Sequence, residues 1–146
     1  PRDVLGADDP QFGPMLFYRE NLRMLPRLMP GENAEEIVQA VAKIATRFRE
    51  RGQTLVVLLV PEKEQIHFRA LSVADQAALA QGPELFAEIE AGLEALGTPV
   101  VNLMPTFQTA TAAGQRLYWR DDTHWNDAGI RLAARELWRV VEPLLE

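Results

Sequence analysis

The sequence contains no cysteine, a single serine and two histidines. Without cysteine there are no disulfides and no thiolate nucleophile or ligand, which leaves the compartment open. Basic charge is also short: 15 Lys and Arg stand against 21 Asp and Glu, a net charge of -6. The arginines are scattered among acids rather than gathered into a stripe, which argues against nucleic acid as a partner. No apolar run approaches the ~18 residues of a membrane span, and the longest, Leu55 to Val60, suits a strand. Internal repeats, low-complexity tracts and a glycine-rich phosphate loop are absent as well. The chain starts Pro-Arg-Asp, with neither an initiator Met nor a signal-peptide pattern, so a processed or truncated chain is expected.

What is present suits one globular domain over 1–146: 47% of residues are hydrophobic and 25% charged. Residues 1–30 are rich in Pro and Gly, and Met15-Leu16-Phe17-Tyr18 reads as a short strand or turn at the domain edge. A helix is expected from Asn33, capped by that residue with Glu36 three positions on. Ile37, Val41, Ile44 and Phe48 would form its buried stripe, and Gly52 its left-handed stop. Thr54 to Val60 is aliphatic on both faces, as in a strand covered on both sides. Leu85, Phe86, Ile89, Leu93 and Leu96 mark a second amphipathic helix closed by Gly97, and Pro99 to Met104 a second buried strand. Arg116 to Trp119 is a candidate third strand. The last helix, capped by Asn126 or Asp127, would bury Ile130, Ala133, Leu137, Val140 or Val141, and Leu144. This order predicts a three-layer αβα fold with a parallel sheet, whose chemistry belongs after the strands' carboxyl ends.

Chemistry-bearing residues concentrate in Tyr118-Trp119-Arg120-Asp121-Asp122-Thr123-His124-Trp125-Asn126. In extended chain, residues two apart share a face, so Asp122 can accept a ring N–H from His124. Such a bond selects a tautomer and stabilises an imidazolium, leaving the other nitrogen to take a proton from a hydroxyl. The plainer alternative is that Asp121 or Asp122 caps the next helix and His124 is an ordinary surface or core histidine. A metal site from Asp121, Asp122 and His124 is disfavoured, because no further ligand has suitable spacing.

Asp122-Thr123-His124-Trp125, with the helix start Asn126-Asp127-Ala128-Gly129, resembles the alginate O-acetyltransferase group of SGNH-like proteins. Gly13 to Tyr18 and the strand ending in Pro61-Glu62-Lys63 resemble that family too, in the same order. The resemblance implies an SGNH-hydrolase-like, flavodoxin-like domain that transfers acetyl groups onto hydroxyls of a periplasmic exopolysaccharide such as alginate. It implies no cofactor and no metal. Its partners would be a polysaccharide acceptor and an acyl donor, the latter handed over by a membrane-bound acyltransferase. His124 would be the base and Asp122 its orienting acid, although the D-x-x-H spacing of ordinary SGNH hydrolases would select Asp121.

The chain departs from the family at the nucleophile, which there lies in a Gly-x-Ser element on a strand after the D-x-H block. Ser72, in Leu71-Ser72-Val73-Ala74-Asp75, has no neighbouring glycine and reads as a helix N-cap. An incomplete domain, cut before the nucleophile strand, is expected; a degenerate relative is the alternative. Lys63, Arg120 and Trp125 are the candidate substrate contacts, with Trp119 on the other flank of the site. An ion-paired or solvated lysine and a packed tryptophan are the plain alternatives. His67 reads as a loop or surface residue, Trp138 as packing, and Glu62 with Glu64 lack a partner acid for glycosidase chemistry. Acetyl esterase, a non-catalytic polysaccharide-binding or assembly domain, and an unrelated flavodoxin-like domain remain as other functions. The last requires Asp122 and His124 to lie too far apart to bond.

Overall fold

The computed structural model describes residues 3–145. An antiparallel hairpin opens it: β1 (Val4–Asp9) pairs with β2 (Gly13–Tyr18), Val4 opposite Tyr18 and Asp9 opposite Gly13. Asp9 Oδ1 accepts the Gln11 and Phe12 amides at 2.9 and 3.0 Å, which closes the turn, and Gly13 supplies the positive φ of 72°. Met15 and Phe17 point inward and are buried, whereas Leu16 and Tyr18 face out. The expected short strand is thus half of a hairpin whose first strand carried no alternating signal.

After α1 (Arg19–Met24) comes α2 (Glu32–Arg49), which starts before Asn33. Gly31 is the capping residue, and Asn33 Oδ1 instead accepts the Met29 amide at 2.8 Å, outside the helix. Gly52 and Gly97 do end their helices with positive φ. Then follow β3 (Val57–Leu59), α3 (Lys63–Ile66), α4 (Val73–Leu79), α5 (Gly82–Ala95), β4 (Val100–Asn102), α6 (Leu103–Ala112) and α7 (Asp127–Val141). As expected, Ser72 caps α4, its Oγ accepting the Asp75 amide at 3.2 Å.

β3 and β4 form a parallel two-stranded sheet, Val57 opposite Val100 and Leu59 opposite Asn102. The period-2 alternation sorts its side chains between two cores. Val57, Leu59 and Val100 pack with Ile37, Val38 and Val41 of α2 and Leu85, Ile89 and Leu93 of α5. Val56, Leu58 and Val101 pack on the other side with Met104 and Phe107 of α6 and Leu132 and Ala133 of α7. Helices therefore cover both faces of the sheet, as the continuous apolar runs required. A third cluster, with Met15, Phe17, Leu71 and Leu79 buried, seats the hairpin.

Both strands are shorter than their apolar runs. Asn102 ends β4 by capping α6, its Oδ1 accepting the Met104 amide at 3.0 Å, so β3 has partners for three residues only. Two side chains of α2 expected inside are exposed, Ile44 and Phe48. The inward face of α2 runs through Ala34, Val38, Val41 and Ala45, and Ile44 lies one step of ~100° round the helix from Ala45. Phe48 follows Ala45 in the last turn.

In α7, Ile130, Trp138 and the following Leu144 are exposed rather than packed. The reason lies at Gly129, where a Cβ would stand 2.4 Å from the Leu117 carbonyl oxygen. That close approach turns the 129, 132, 133 and 137 face inward, and Ile130, one step of ~100° round the helix, outward. Leu96, past the end of α5, is exposed too. Arg116–Trp119 makes no strand but a single antiparallel bridge, Tyr118 to Trp125. Among the described residues, no helix is long and apolar enough to cross a membrane.

Candidate active site

The loop between α6 and α7 is built as a narrow hairpin. The Asn126 amide donates to the Leu117 carbonyl at 2.9 Å and the Trp119 amide to the His124 carbonyl at 3.1 Å. Asn126, rather than Asp127, caps α7, its Oδ1 accepting the Ala128 and Gly129 amides at 2.9 and 3.1 Å. Its Nδ2 donates to the carbonyls of Arg116 at 2.8 Å and Tyr118 at 3.4 Å. One buried side chain thus starts the helix and holds the loop's base. Below it Tyr118 is buried, its hydroxyl donating to the Pro61 carbonyl after β3, and its ring meets Phe107 and His67 edge-on. Burial pushes the phenol up from its usual range.

At the tip, His124 Nδ1 lies 2.5 Å from Asp122 Oδ1, which also accepts the His124 amide at 3.1 Å. With Asp122 ionised, Nδ1 is the protonated nitrogen, leaving the Nε2 lone pair free. The ring hydrogen bond, with the amide second, holds the Asp122 carboxyl below its usual range. The His124 side chain is 81% exposed and that of Asp122 51%. Asp122, not Asp121, is therefore the bonded partner, and the separation required of an unrelated domain is not found. Among the described residues, no three His, Cys, Asp or Glu side chains converge as a metal site would need.

The loop lies along the outer edge of β2. The Leu16 amide donates to the Arg120 carbonyl at 2.7 Å, and Arg120 Nε donates to the Pro14 carbonyl at 3.0 Å. Between hairpin and loop runs a groove of about 680 Å³, lined among others by Asp8, Arg116, Trp119, Arg120 and Asp121. A smaller cleft of about 150 Å³, lined by Tyr18, Asp121 and Asp122, flanks the other side. Trp119 is exposed, so its ring can meet a ligand. Trp125 turns inward and meets Phe107 edge-to-face at 5.9 Å, since it must also pack against the start of α7. Trp125 is therefore a packing residue, and Trp119 the aromatic at the groove.

Lys63 likewise differs from expectation: it is neither solvated nor ion-paired but fully buried. Its ammonium donates to the carbonyls of Trp119 at 2.6 Å, Leu16 at 2.7 Å, Asp122 at 2.9 Å and Arg120 at 3.1 Å. With four backbone carbonyls as its hydrogen-bond partners and no exposure, Lys63 has no face left for substrate. Its neighbours Glu62 and Glu64 are also structural. Glu62 caps α3 with Gln65 in a reciprocal box, and Glu64, fully buried, accepts the Tyr18 amide at 2.8 Å. Asn21 Nδ2 bridges the two carboxylates at 3.2 and 3.0 Å. Burial, then the nearby Glu64, pushes the Glu62 carboxyl up against that bond.

His67 is also no surface residue. It is buried, with Nδ1 3.0 Å from Asp9 Oδ2 and the Phe12 ring edge-on. Burial pushes its imidazole down, opposed by Asp9. No local pattern links residues 58 positions apart, so this pair was invisible in sequence. Arg116 was missed as well; it lines the groove, and its Nε is buried without a partner.

Residues 15–145 match the family model described as "SGNH hydrolase-like domain, acetyltransferase AlgX". Among curated proteins the chain is 25% identical over 141 residues to the probable alginate O-acetylase AlgJ of Pseudomonas fluorescens. It is 27% identical over 145 residues to the protein of that name from Pseudomonas putida. Each alignment takes in 97% of this chain and 34% of the relative, so the chain spans about a third of their length. The solved O-acetyltransferase domain of Pseudomonas putida AlgJ superposes with a TM-score of 0.68 at 25% identity, over 97% of this chain and 48% of that one. Bacillus cereus PatB1 with a sulfonyl adduct shares the fold, with a TM-score of 0.65 at 18% identity over 94% and 42% of the two chains. The chain belongs to the SGNH hydrolase-like acetyltransferase family of AlgX.

Proposed function

We propose that these residues form the base-bearing part of a polysaccharide O-acetyltransferase, with alginate or a similar periplasmic exopolysaccharide as acceptor. The observation that carries this reading is the Asp122–His124 bond, which leaves Nε2 of an exposed, oriented imidazole able to take a proton. In a Ser-His-Asp mechanism His124 would take the proton of a serine as it attacks the acyl donor and pass it to the donor's leaving group. It would then deprotonate the sugar hydroxyl that attacks the acyl-enzyme and return that proton to the departing serine, while Asp122 orients and stabilises the imidazolium. Ser72 is not that serine in our reading, since its hydroxyl is engaged with Asp75 at 2.6 Å. The nucleophile would come from outside the 146 residues. The groove beside the pair supports an acidic sugar as acceptor: Trp119 offers an apolar face, and Arg120 and Arg116 offer guanidinium groups to a uronate carboxylate.

The engaged serine equally favours a second reading, a polysaccharide-binding or assembly domain without catalysis. One experiment separates these readings and acetyl esterase. The natural gene product is incubated with an aryl acetate and mannuronate oligosaccharides, and acetylated sugar and free acetate are followed by mass spectrometry. Acetylated oligosaccharide, lost in His124→Ala, is the expected outcome. Acetate release alone would indicate an esterase; binding with neither product would overturn catalysis.

A further inference from the structure

Lys63 is buried with no carboxylate within salt-bridge distance among the described residues, an expensive place for a cation. Four backbone carbonyls replace its hydration, at 2.6 to 3.1 Å. An ammonium has three N–H groups, so one is shared between two acceptors. Three of the four acceptors, Trp119, Arg120 and Asp122, fall within four consecutive residues. Carbonyl oxygens turned toward one point repel each other, so this backbone course needs a cation at its focus. The fourth acceptor, Leu16, belongs to β2, and the Phe17 ring centroid lies 5.4 Å from the ammonium. The cation thereby joins the loop to the hairpin, and with the Asp122 carbonyl drawn inward the Asp122 carboxylate meets His124 outside.

We propose that the Lys63 ammonium is the positioning group of the Asp122–His124 pair, setting the loop so that His124 keeps its proton on Nδ1 and its lone pair on Nε2. This rests on the acyl-transfer reading of the pair, because only then does the orientation matter for chemistry. Lys63 touches neither substrate nor the reacting nitrogen; it acts through the backbone on either side of Asp121.

The charge state of the clamp is within physiological reach. Burial lowers the ammonium to about 8, against the favourable fields of Glu64 on its own helix and of Asp121 and Asp122 on the loop; Arg116 adds to the lowering. His67, just after α3, feels the same cation. The neutral amine would retain two N–H groups and turn a lone pair toward four carbonyls, so the loop would lose part of its anchoring as pH rises.

Nitrogen-15 NMR of the whole chain tests this without any acyl transfer. From about pH 7 to about pH 9.5, amide signals of 119–124 should move with a midpoint near 8, while those of α7 past Ala128 stay. Over the same range the His124 ring should pass from the Nδ1–H form to a mixture. Lys63→Met should show the mixture already at neutral pH, the Nδ1–H share falling about two-fold or more. Lys63→Arg, charged throughout, should remove the step. A folded Lys63→Met with the wild-type tautomer and loop shifts would overturn the proposal. So would a wild-type chain without the step, which decides the matter even where Lys63→Met does not fold. Absent acetyl transfer from a chain with an ordered, Lys63-dependent pair would count against the proposed function and leave this inference standing.

Discussion

The molecule holds two Asp–His pairs, and they differ in almost everything except composition. Asp122 and His124 are two residues apart on a loop tip, 2.5 Å from each other and largely exposed. Asp9 and His67 are 58 residues apart, 3.0 Å from each other, with side chains 6% and 0% exposed. An Asp–His hydrogen bond is therefore no mark of chemistry by itself. In the buried pair the carboxylate also closes the β-turn, and the imidazole ties that turn to the segment after α3. In the exposed pair the second ring nitrogen is free, and a groove with an exposed tryptophan adjoins the loop. Water around the exposed pair makes it cheap to hold and cheap to lose, so it adds little to stability; burial makes the other pair a stability element.

Substitutions can break this contrast. The largest effect is expected from Asp122→Asn in the natural gene product, which should lower acetyl transfer by ~10³–10⁴-fold through loss of the tautomer. Asp121→Asn should change it little, and the reverse order in a kinetic assay would exchange their roles. Asp9→Ala should come next, costing about 3 kcal/mol in urea unfolding, because it strands a buried imidazole and two turn amides. Similar losses from Asp122→Ala would end the distinction between the pairs.

The buried pair should also shape the pH dependence of stability. Burial lowers the folded-state pKa of His67 below the roughly 6.5 of an unfolded histidine, so at acid pH the unfolded chain binds the proton that the folded one resists. Stability should therefore be intact above about 6.5, fall as pH drops below it, and level off below the depressed folded value. His67→Gln should remove that part of the slope in denaturation curves recorded across the range. The smallest effect belongs to Asp122→Ala, whose urea unfolding curve should overlay that of wild type, since the pair is exposed.

The site was legible in sequence to the extent that it is local. Asp122 and His124 could be paired because two residues in extended chain share a face, and the Asn126 and Ser72 caps because a cap acts within three residues. The buried stripes of α5 and the two apolar runs around the sheet were readable from periodicity, down to the faces they share between two helical layers. Strand lengths were not, because a strand ends where its partner does, and Asn102 turns β4 into a helix. The first strand of the hairpin, Val4 to Asp9, escaped because it is paired by β2 rather than marked by its own alternation.

Side chains whose meaning depends on burial were the ones misread. A lysine or a histidine carries no local sign of whether water reaches it. Lys63 and His67 are inside because β1, β2 and the 118–125 loop converge on them from positions 47 to 59 residues away. Trp125, expected at the substrate, packs inward while Trp119 stays exposed, because the start of α7 presses on one face of the loop only. Sequence alone determined the chemistry on hand, the order of the two sheet strands and the helices that cover them, and the restriction of His124's partner to Asp121 or Asp122, since each is set by neighbours along the chain. Tertiary structure alone decided which Asp–His pair is open to a substrate and which cation holds the loop, since desolvation is a property of distant segments packed together.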